Sequence, residues 1–454
     1  MGRNEITLEQ AAAWCGGRAT DGSILFSGAN FDTRRLRERE LFVAIDGARD
    51  GHVYAREAIA KGAAAVLASK KLPEDIPAIY VTDTLRALQA IARGYRETLR
   101  CKCIGITGSV GKTTTKEMIA SVLSSQYATE KTAENYNNGL GLPITVLGTP
   151  ADCSCLVLEM GMNHFGEIST LTRIARPDIA LITNIGTMHI ENLGSREGIR
   201  KAKLEILEGL RENGTVIFNG DDAMLNAVAE QYHAIRFGFT KDCDVRAENV
   251  CVQENGSCFT AIAFGSEFTV ELPVAGRHSI LDALAAITVG VCCGVSKENI
   301  RVALREFRNT GMRQKIYSLH GVTVIEDCYN AGPESMRAAL QVLAERTGRK
   351  IAVLGGMLEL GEIAEEQHYE IGRIAAREAE LLFAFGEHSD AYVRGARDAG
   401  MKQAEYYSSH EALADALFAT LREGDILLIK GSRGMQMERI AQELQNENRW
   451  GKLK

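Results

Sequence analysis

The chain has 454 residues. This length exceeds what a single hydrophobic core usually supports, so it predicts two to three domains. With 45% hydrophobic and 24% charged residues it has the composition of a globular protein. A net charge of −7 argues against general nucleic-acid binding, which requires basic residues to neutralise phosphates. No apolar run approaches the roughly 20 residues that span a bilayer, and the first residues lack the features of a signal peptide. We therefore predict a cytoplasmic protein that neither inserts into membranes nor binds nucleic acid.

The eleven cysteines contain no CxxC pair. Cys101 and Cys103, like Cys153 and Cys155, are spaced so that a strand would place both side chains on one face. A zinc site would need further ligands nearby. We therefore favour reduced thiols inside the core, as expected in a reducing compartment.

Residues 1–98 alternate short apolar runs with helical patterns. The runs ELFVAI, AAAVLA and AIYVT predict strands, and HVYAREAIAKG and LRALQAIARGYRETL predict helices. This alternation predicts a small α/β domain.

Residues 99–313 form the predicted central domain. Near-continuous apolar runs (CIGI, CLVLEM, IALITNI, TVIFN) are separated by helical stretches, which predicts a parallel sheet covered on both faces. Residues 242–271 differ, because their β-branched runs and Gly/Asn turns predict a small antiparallel sheet.

Residues 314–454 form a third predicted unit, with strands at VTVIED, KIAVLGG, LLFAFG and DILLIKG. The pattern predicts a Rossmann-like α/β domain. The whole chain is thus predicted to be a three-domain α/β protein.

In the central segment a predicted strand leads into a glycine-rich stretch that begins a predicted helix: Thr107, Gly108, Ser109, Val110, Gly111, Lys112, Thr113 and Thr114. In this setting backbone N–H groups and the helix N-terminus cradle phosphates, Lys112 neutralises them, and Thr113 offers a hydroxyl to Mg²⁺. The common GxxxxGK[ST] pattern needs glycine where this chain has Ile106. The alternative is a glycine turn before an ordinary lysine, but the strand–loop–helix setting favours ATP binding.

Two polar residues follow neighbouring predicted strands. Glu159 is the last residue but one of CLVLEM, and His189 follows IALITNI. Ligands of open α/β sheets gather at the carboxyl ends of strands, and Mg²⁺ prefers oxygen donors. A lone Glu or His there is usually structural, but the pair after a phosphate loop predicts a metal site formed with Thr113.

The segment TGSVGKTT resembles the phosphate loop of the Mur ligases, relatives of folylpolyglutamate synthase, and later motifs match that family in order. The resemblance implies ATP, two Mg²⁺ ions and a CO₂-derived carbamate on Lys203, in the segment AKLEI. It makes Lys112, Glu159, His189 and Lys203 the catalytic residues. A carbamate requires a neutral amine, which burial favours. Composition alone would favour Lys201 and Lys203 on a solvated helix face.

The nucleotide contacts are implied by two further motifs. GRH at 276–278 and Asp282 resemble a family helix whose asparagine contacts adenine; an ionised aspartate accepts but cannot donate a hydrogen bond. TGMR at 310–313 takes the place of a nucleotide-contacting arginine motif. The resemblance thus implies ATP binding by Asp282, Arg313 and Asp327.

Three motifs of the third segment resemble the branch of the family that adds D-alanyl-D-alanine: EDCYNAGPESM, VLGGMLELGE and KGSR. They imply that Asn330 binds substrate. The chain departs from the pattern at Glu326, Cys328, Gly332 and Gly356. These departures leave open a paralog that takes another dipeptide or a depsipeptide.

In the first segment, Asp32, Thr33 and Arg34, with LFVA and DGH further on, resemble the family's UDP-binding part. The resemblance implies that these three residues and Ser27 bind substrate, and an arginine beside a hydroxyl suits a diphosphate. From the residues alone, a surface loop with an ion pair is the better interpretation.

The resemblance implies an ATP-dependent amide ligase of peptidoglycan precursor synthesis. It would join D-Ala-D-Ala to a UDP-muramoyl tripeptide through an acyl phosphate, and we expect a monomer. Two other classes stay open: another ligase, such as a folylpolyglutamate synthase, and a nucleotide switch without catalysis.

Overall fold

The computed structural model describes residues 5–254, 256–309 and 313–450, which form a mixed α/β molecule with three large sheets and one two-stranded pair. All eleven cysteines are free thiols. Within the described ranges, no helix is long and apolar enough to cross a membrane.

The first region contains β1 (Ile6–Thr7), α1 (Leu8–Cys15), β2 (Arg18–Ala19), β3 (Leu25–Phe26), β4 (Ala29–Asn30), β5 (Leu41–Val43), α2 (Ala55–Ala60), β6 (Ala65–Ala68), β7 (Ala78–Tyr80) and α3 (Thr84–Thr98). Five of these strands form its sheet. The order is β2-β7-β6-β5-β4, with β2 antiparallel, and β1 pairs with β3 beside it. The predicted strands and helices of this segment are confirmed.

Helix α3 packs the first region against the central region. It begins with the side chain of Asp83 accepting a hydrogen bond from the Arg86 N–H, a favourable N-cap. Arg96, fully buried in its last turn, donates to the Ala175 carbonyl at 2.8 Å and lies 3.5 Å from Asp178. A single apolar cluster continues from the first sheet into the central one.

The central region contains β8 (Lys102–Thr107), α4 (Lys112–Ser124), β9 (Thr129–Lys131), α5 (Gly141–Leu147), β10 (Cys155–Glu159), α6 (Glu167–Ala175), β11 (Ile179–Ile182), α7 (Ile190–Leu193), α8 (Arg196–Leu204), β12 (Thr215–Asn219), α9 (Ala223–Asn226), β13 (Ile235–Gly238), β14 (Val245–Gln253), β15 (Gly256–Ala263), β16 (Ser266–Leu272), α10 (Arg277–Cys292) and α11 (Lys297–Arg305). The nine strands run in the order β16-β15-β14-β13-β12-β11-β8-β10-β9. Strands β9 to β13 are parallel, with β8 between β10 and β11.

The antiparallel hairpins predicted for residues 242–271 are confirmed as β14, β15 and β16. They extend the parallel sheet, because β14 pairs in parallel with β13. Alternating burial along β15 shows one face packed and one face partly solvated, as expected for antiparallel strands at a sheet edge.

The third region contains β17 (Lys315–Leu319), β18 (Val322–Asp327), α12 (Pro333–Ala344), β19 (Lys350–Gly355), α13 (Ala364–Glu378), β20 (Leu381–Phe385), α14 (Ser389–Asp398), β21 (Gln403–Tyr407), α15 (His410–Thr420), β22 (Ile426–Lys430), α16 (Glu438–Leu444) and α17 (Glu447–Trp450). The sheet order is β17-β18-β22-β19-β20-β21, parallel except for β17. Apolar clusters cover both faces of this sheet. The three large sheets fall in the three predicted segments, and the division at 98 and 313 stays a prediction.

Candidate active site

The glycine-rich loop connects β8 directly to α4, as predicted. Gly108 and Gly111 have φ angles of +153° and +86°, in the region that favours glycine. A Cβ atom at Gly108 would lie 1.8 Å from Thr183 Oγ1, and one at Gly111 would lie 2.8 Å from Asp282 Oδ1. Ile106 is a fully buried residue of β8, so this loop begins two residues later than in the common pattern.

The loop is held in place by the end of β11. Asn184 accepts a hydrogen bond from the Val110 N–H at 2.9 Å and donates to its carbonyl at 2.9 Å. Thr183 donates to the same carbonyl at 2.7 Å, and Ser109 Oγ accepts from the Gly186 N–H at 2.9 Å. The loop is therefore shaped by side chains of the neighbouring strand, a role that the sequence analysis did not assign to Thr183 and Asn184.

Lys112 is the first residue of α4, and its ammonium group lies within the loop. Its Nζ donates to the carbonyl oxygens of Gly108 at 2.6 Å and Ser109 at 3.2 Å. Burial lowers the pKa of Lys112, with Glu159 opposing this shift and Arg313 adding to it. Lys112 is the one cationic residue between Thr107 and Thr114, and the neutralisation of a bound phosphate stays its predicted role.

Glu159 lies at the end of β10, beside the start of α4. Its carboxylate accepts from Thr113 Oγ1 at 2.9 Å and from Asn137 Nδ2 at 2.9 Å, and Lys116 Nζ is 3.7 Å away. Hydroxyl and carboxylate oxygens gathered at one point are the hard donors that Mg²⁺ prefers, so these residues fit the ion. Asn137 was missed by sequence reasoning, since it lies in an irregular loop without a pattern.

The two candidate lysines of α8 have opposite environments. Lys203 is buried, with 2% of its surface exposed, and burial and the charge of Lys112 hold its pKa well below the ordinary value. Lys201 is exposed and lies over the ring of Phe165, 5.8 Å from its centre. A neutral amine is the form that reacts with CO₂, so the environment of Lys203 fits carbamylation and that of Lys201 does not.

His189 follows β11 in a left-handed conformation, with φ of +62°. Its Nδ1 pairs with the carboxylate of Glu359, from the third region, which lowers the pKa of that carboxyl group. The described residues contain no cluster of three His, Cys, Asp or Glu side chains suited to a metal. Of the four predicted metal ligands, only Glu159 and His189 are residues of these types. The other two are Thr113 and Lys203.

Asp282, Arg313 and Asp327 line one cavity of about 490 Å³ between the central and third regions, together with Ser109, Val110, Gly111, Lys112, Thr113, Thr114, Glu159 and His189. Of the site residues predicted in the central region, Thr107, Gly108 and Lys203 do not line it. Arg313 reaches it with its guanidinium 4.0 Å from the centre of the Tyr329 ring, while 310–312 lie outside the described residues. Asp282 accepts from Thr115 Oγ1 at 2.6 Å, and burial raises its pKa to about 7.

The third region contributes Asp327 and Asn330 to the same cavity. Both are fixed by the buried Lys430, whose Nζ lies 2.6 Å from Asp327 Oδ2 and 3.0 Å from the Asn330 carbonyl oxygen. Lys430, in the KGSR motif at the end of β22, had no assigned role in the sequence analysis. Its position makes it a further candidate for the site.

Two departures from the family pattern have steric explanations. A Cβ atom at Gly332 would lie 2.9 Å from Met188 Cγ, and one at Gly356 would lie 2.7 Å from the Glu387 carbonyl oxygen. Neighbouring groups therefore occupy the space that a larger side chain would need. Cys328 is fully buried in the core beside β22 and donates to the Ile429 carbonyl at 3.4 Å.

The first-region candidates do not line this cavity. Arg34, whose side chain is 84% exposed, pairs with Asp32 at 2.7 Å, and Thr33 donates to Glu57 at 2.8 Å. The backbone N–H of Ser27 donates to the Arg39 carbonyl at 2.8 Å. The structure thus separates this group from the phosphate loop, and its substrate role stays a prediction.

The chain matches two family models, the Mur ligase middle domain over residues 106–290 and the Mur ligase, glutamate ligase domain over residues 312–433. It is 41% identical over 427 residues to the UDP-N-acetylmuramoyl-tripeptide--D-alanyl-D-alanine ligase of Bacillus subtilis, covering 92% of this chain and 93% of the relative.

Two solved structures share the fold over nearly the whole length. MurF from Acinetobacter baumannii has a TM-score of 0.91 at 29% identity, covering 98% of this chain and 100% of the other. MurF ligase from Thermotoga maritima, solved in complex with ADP, has a TM-score of 0.84 at 29% identity, covering 94% and 99%. From these matches and the geometry of its phosphate loop, the chain belongs to the Mur ligase family, in the branch named UDP-N-acetylmuramoyl-tripeptide--D-alanyl-D-alanine ligase.

Proposed function

We propose that this protein joins D-alanyl-D-alanine to a UDP-N-acetylmuramoyl tripeptide, at the expense of ATP, in the synthesis of peptidoglycan precursors. The observation that carries the proposal is the cavity of about 490 Å³ in which the phosphate loop, Glu159 and His189 face Asp327, Asn330 and Lys430 of the third region. The relatives' shared name supplies the substrates. The alternatives, a paralog with another acceptor and a folylpolyglutamate synthase, are not favoured by these relatives.

The first step transfers the γ-phosphoryl group of ATP to the terminal carboxylate of the tripeptide, which gives an acyl phosphate and ADP. Phosphoryl transfer depends on positioning and charge neutralisation. The N-terminus of α4 and the ammonium of Lys112 are suited to both tasks. The N–H groups of Ser109 and Val110 already donate to Asn184, so they hold the loop in its shape. We assign Asp282, Arg313 and Asp327 to the nucleotide.

In the second step the amine of the dipeptide attacks the acyl carbon, an amide bond forms, and phosphate leaves with loss of a proton from the amine. Water would hydrolyse the acyl phosphate, so the cavity must exclude it. Contacts between the regions support this role: Thr187 Oγ1 donates to Glu334 at 3.2 Å, and Met188 packs on Gly332. We assign Asn330 to the acceptor, and Ser27, Asp32, Thr33 and Arg34 to the UDP moiety.

We further propose that Thr113, Glu159, His189 and a carbamate on Lys203 hold two Mg²⁺ ions. When bound, such ions neutralise the charge that develops on the phosphoryl oxygens. The oxygen donors around Glu159 and the buried amine of Lys203, whose pKa burial lowers, support the assignment. The enzyme is proposed to act as a monomer in the cytoplasm.

The test is phosphate release from ATP with purified enzyme, omitting each substrate in turn. We expect release only with tripeptide and D-Ala-D-Ala together. Lysine- and diaminopimelate-containing tripeptides are crossed with D-Ala-D-Ala, D-Ala-D-Ser and D-Ala-D-lactate, and kcat/KM values are compared. A higher kcat/KM with either alternative acceptor would contradict the proposed acceptor while leaving the ligase reaction in place.

A further inference from the structure

Glu359 of the third region contacts the cavity from outside the predicted catalytic set. It lies between β19 and a 3-10 turn at Gly361–Ile363, and its carboxylate pairs with Nδ1 of His189. The Glu359 side chain is 49% exposed, whereas that of His189 is 15% exposed. Glu359, in a loop of the third-region sheet, thus contacts the side chain of His189, a candidate metal ligand in a loop of the central sheet.

The backbones of both loops adopt a left-handed conformation at the two residues in contact. Glu359 and His189 have φ angles of +63° and +62°, which cost energy in residues other than glycine. Gly361, with φ of +53°, approaches α7 so closely that a Cβ atom there would lie 3.2 Å from Glu191 Cβ. The pairing is therefore part of a tight junction between two loops.

An imidazole that pairs through Nδ1 with a carboxylate has a defined ring orientation and keeps Nε2 for another partner. His189 lines the cavity that contains Thr113 and Glu159. We propose that Glu359 is a positioning residue that orients the His189 imidazole for the proposed metal site from a loop of a different sheet. This inference rests on the proposed function for the identity of the ion.

The chain offers a matched control in Glu334. Its carboxylate also bridges the two regions, accepting from Thr187 Oγ1 at 3.2 Å and 3.3 Å, but its contact in this loop is with Thr187 rather than the imidazole. Glu334→Gln therefore weakens docking of the third region without touching His189. Glu359→Gln keeps the size of the side chain and loses its charge, and Glu359→Ala removes both.

The first measurement is ¹⁵N NMR of histidine-labelled, metal-free protein, with the His189 signals assigned by His189→Ala. We expect Glu359→Gln and Glu359→Ala to shift the ¹⁵N signal of His189 Nδ1, the atom that contacts the carboxylate, and Glu334→Gln to leave it unchanged. The second is Mn²⁺ binding to the enzyme with a non-hydrolysable ATP analogue. We expect about tenfold weaker binding in Glu359→Ala, a smaller loss in Glu359→Gln, and less than twofold in Glu334→Gln.

A double-mutant cycle isolates the path through the imidazole. In the His189→Ala background, Glu359→Ala should weaken Mn²⁺ binding no further. Equal losses in Glu359→Ala and Glu334→Gln, or a full additional loss in the His189→Ala background, would overturn the positioning role. Phosphate release by the wild-type enzyme with both substrates is measured on the same preparation. Failure of that reaction would contradict the proposed function, whereas unchanged Mn²⁺ binding in the Glu359 variants would contradict only this inference.

Discussion

Short motifs predict two anion-binding regions, the phosphate loop of the central sheet and the Asp32–Arg34 loop of the first. In the phosphate loop, the backbone of Val110 is held by Thr183 and Asn184 from a neighbouring strand. In the first loop, Arg34 pairs with Asp32, two residues away, and is otherwise exposed. The fold thus shapes the phosphate loop before any ligand arrives, whereas the Asp32–Arg34 loop must exchange an ion pair for its ligand.

Two aspartates show the same contrast in their acidity. Burial raises the pKa of Asp282 to about 7, although Thr115 and Arg313 oppose the shift. Hydrogen bonds from Arg34 lower the pKa of Asp32 to about 2. The pKa of an aspartate therefore lies near neutral pH in the central cavity and well below it at the surface. Variants in each region should show which of these differences matters for the reaction.

The largest effect is expected at Lys112, whose charge lies within the phosphate loop. Lys112→Ala should lower kcat by about a thousandfold, because a preorganised charge at a transferring phosphoryl group contributes several kcal/mol to its stabilisation. The measurement is steady-state phosphate release at saturating substrates. Activity within tenfold of wild type would remove the phosphate-loop assignment.

Lys203→Ala should reduce turnover about a hundredfold at ambient CO₂, because the oxygen ligand that we propose on Lys203 would be lost. Short carboxylates added to the assay should restore part of it by occupying the carbamate's place. The matched control is Lys201→Ala on the same helix, which should keep most activity since Lys201 is exposed. An exchange of the two phenotypes would show that the wrong lysine was assigned.

Asp282→Asn tests the buried acid through the pH dependence of stability. The folded pKa of about 7 lies above the ordinary 3.8, so the folded state holds the proton more tightly and stability falls as pH rises from about 4 to 7. Asparagine keeps the acceptor for Thr115 and carries no charge. We expect the variant to lose this slope and to gain at least about 1.4 kcal/mol over wild type at pH 8, which corresponds to one pKa unit.

The measurement is urea unfolding at several pH values, and the difference between the two proteins removes the pH dependence that they share. Asp32→Asn is the control, since its lowered pKa places any dependence below about pH 4. Parallel curves for wild type and Asp282→Asn would contradict the raised pKa.

The smallest effect is expected in the first region. Arg34→Ala should change the free energy of unfolding by less than about 0.5 kcal/mol, because the Asp32–Arg34 pair is exposed. KM for the UDP-linked tripeptide should rise about threefold to tenfold if the guanidinium binds the diphosphate. An unchanged KM would show that the Asp32–Arg34 loop is only a surface ion pair, in contrast to the phosphate loop, whose variant is expected to lose activity.

The sequence by itself determined the elements and their order. Near-continuous apolar runs predicted β8, β10, β11 and β12, since strands buried on both faces need them. Short or polar strands such as β9 (Thr129–Lys131) and β21 (Gln403–Tyr407) were missed, because their exposed residues carry no such signal. The phosphate loop was predictable because its glycines and Lys112 are contiguous.

Only the tertiary structure decided how distant residues meet. Composition alone does not distinguish Lys203 from Lys201. Helical spacing places Lys203 on the same face as Ile199, but the burial of that face depends on what packs against α8. Likewise, the pairing of His189 with Glu359 joins loops of two different sheets. Contacts of this kind form when separate elements pack together, and the chemistry that they confer on a side chain is therefore a property of the assembled fold.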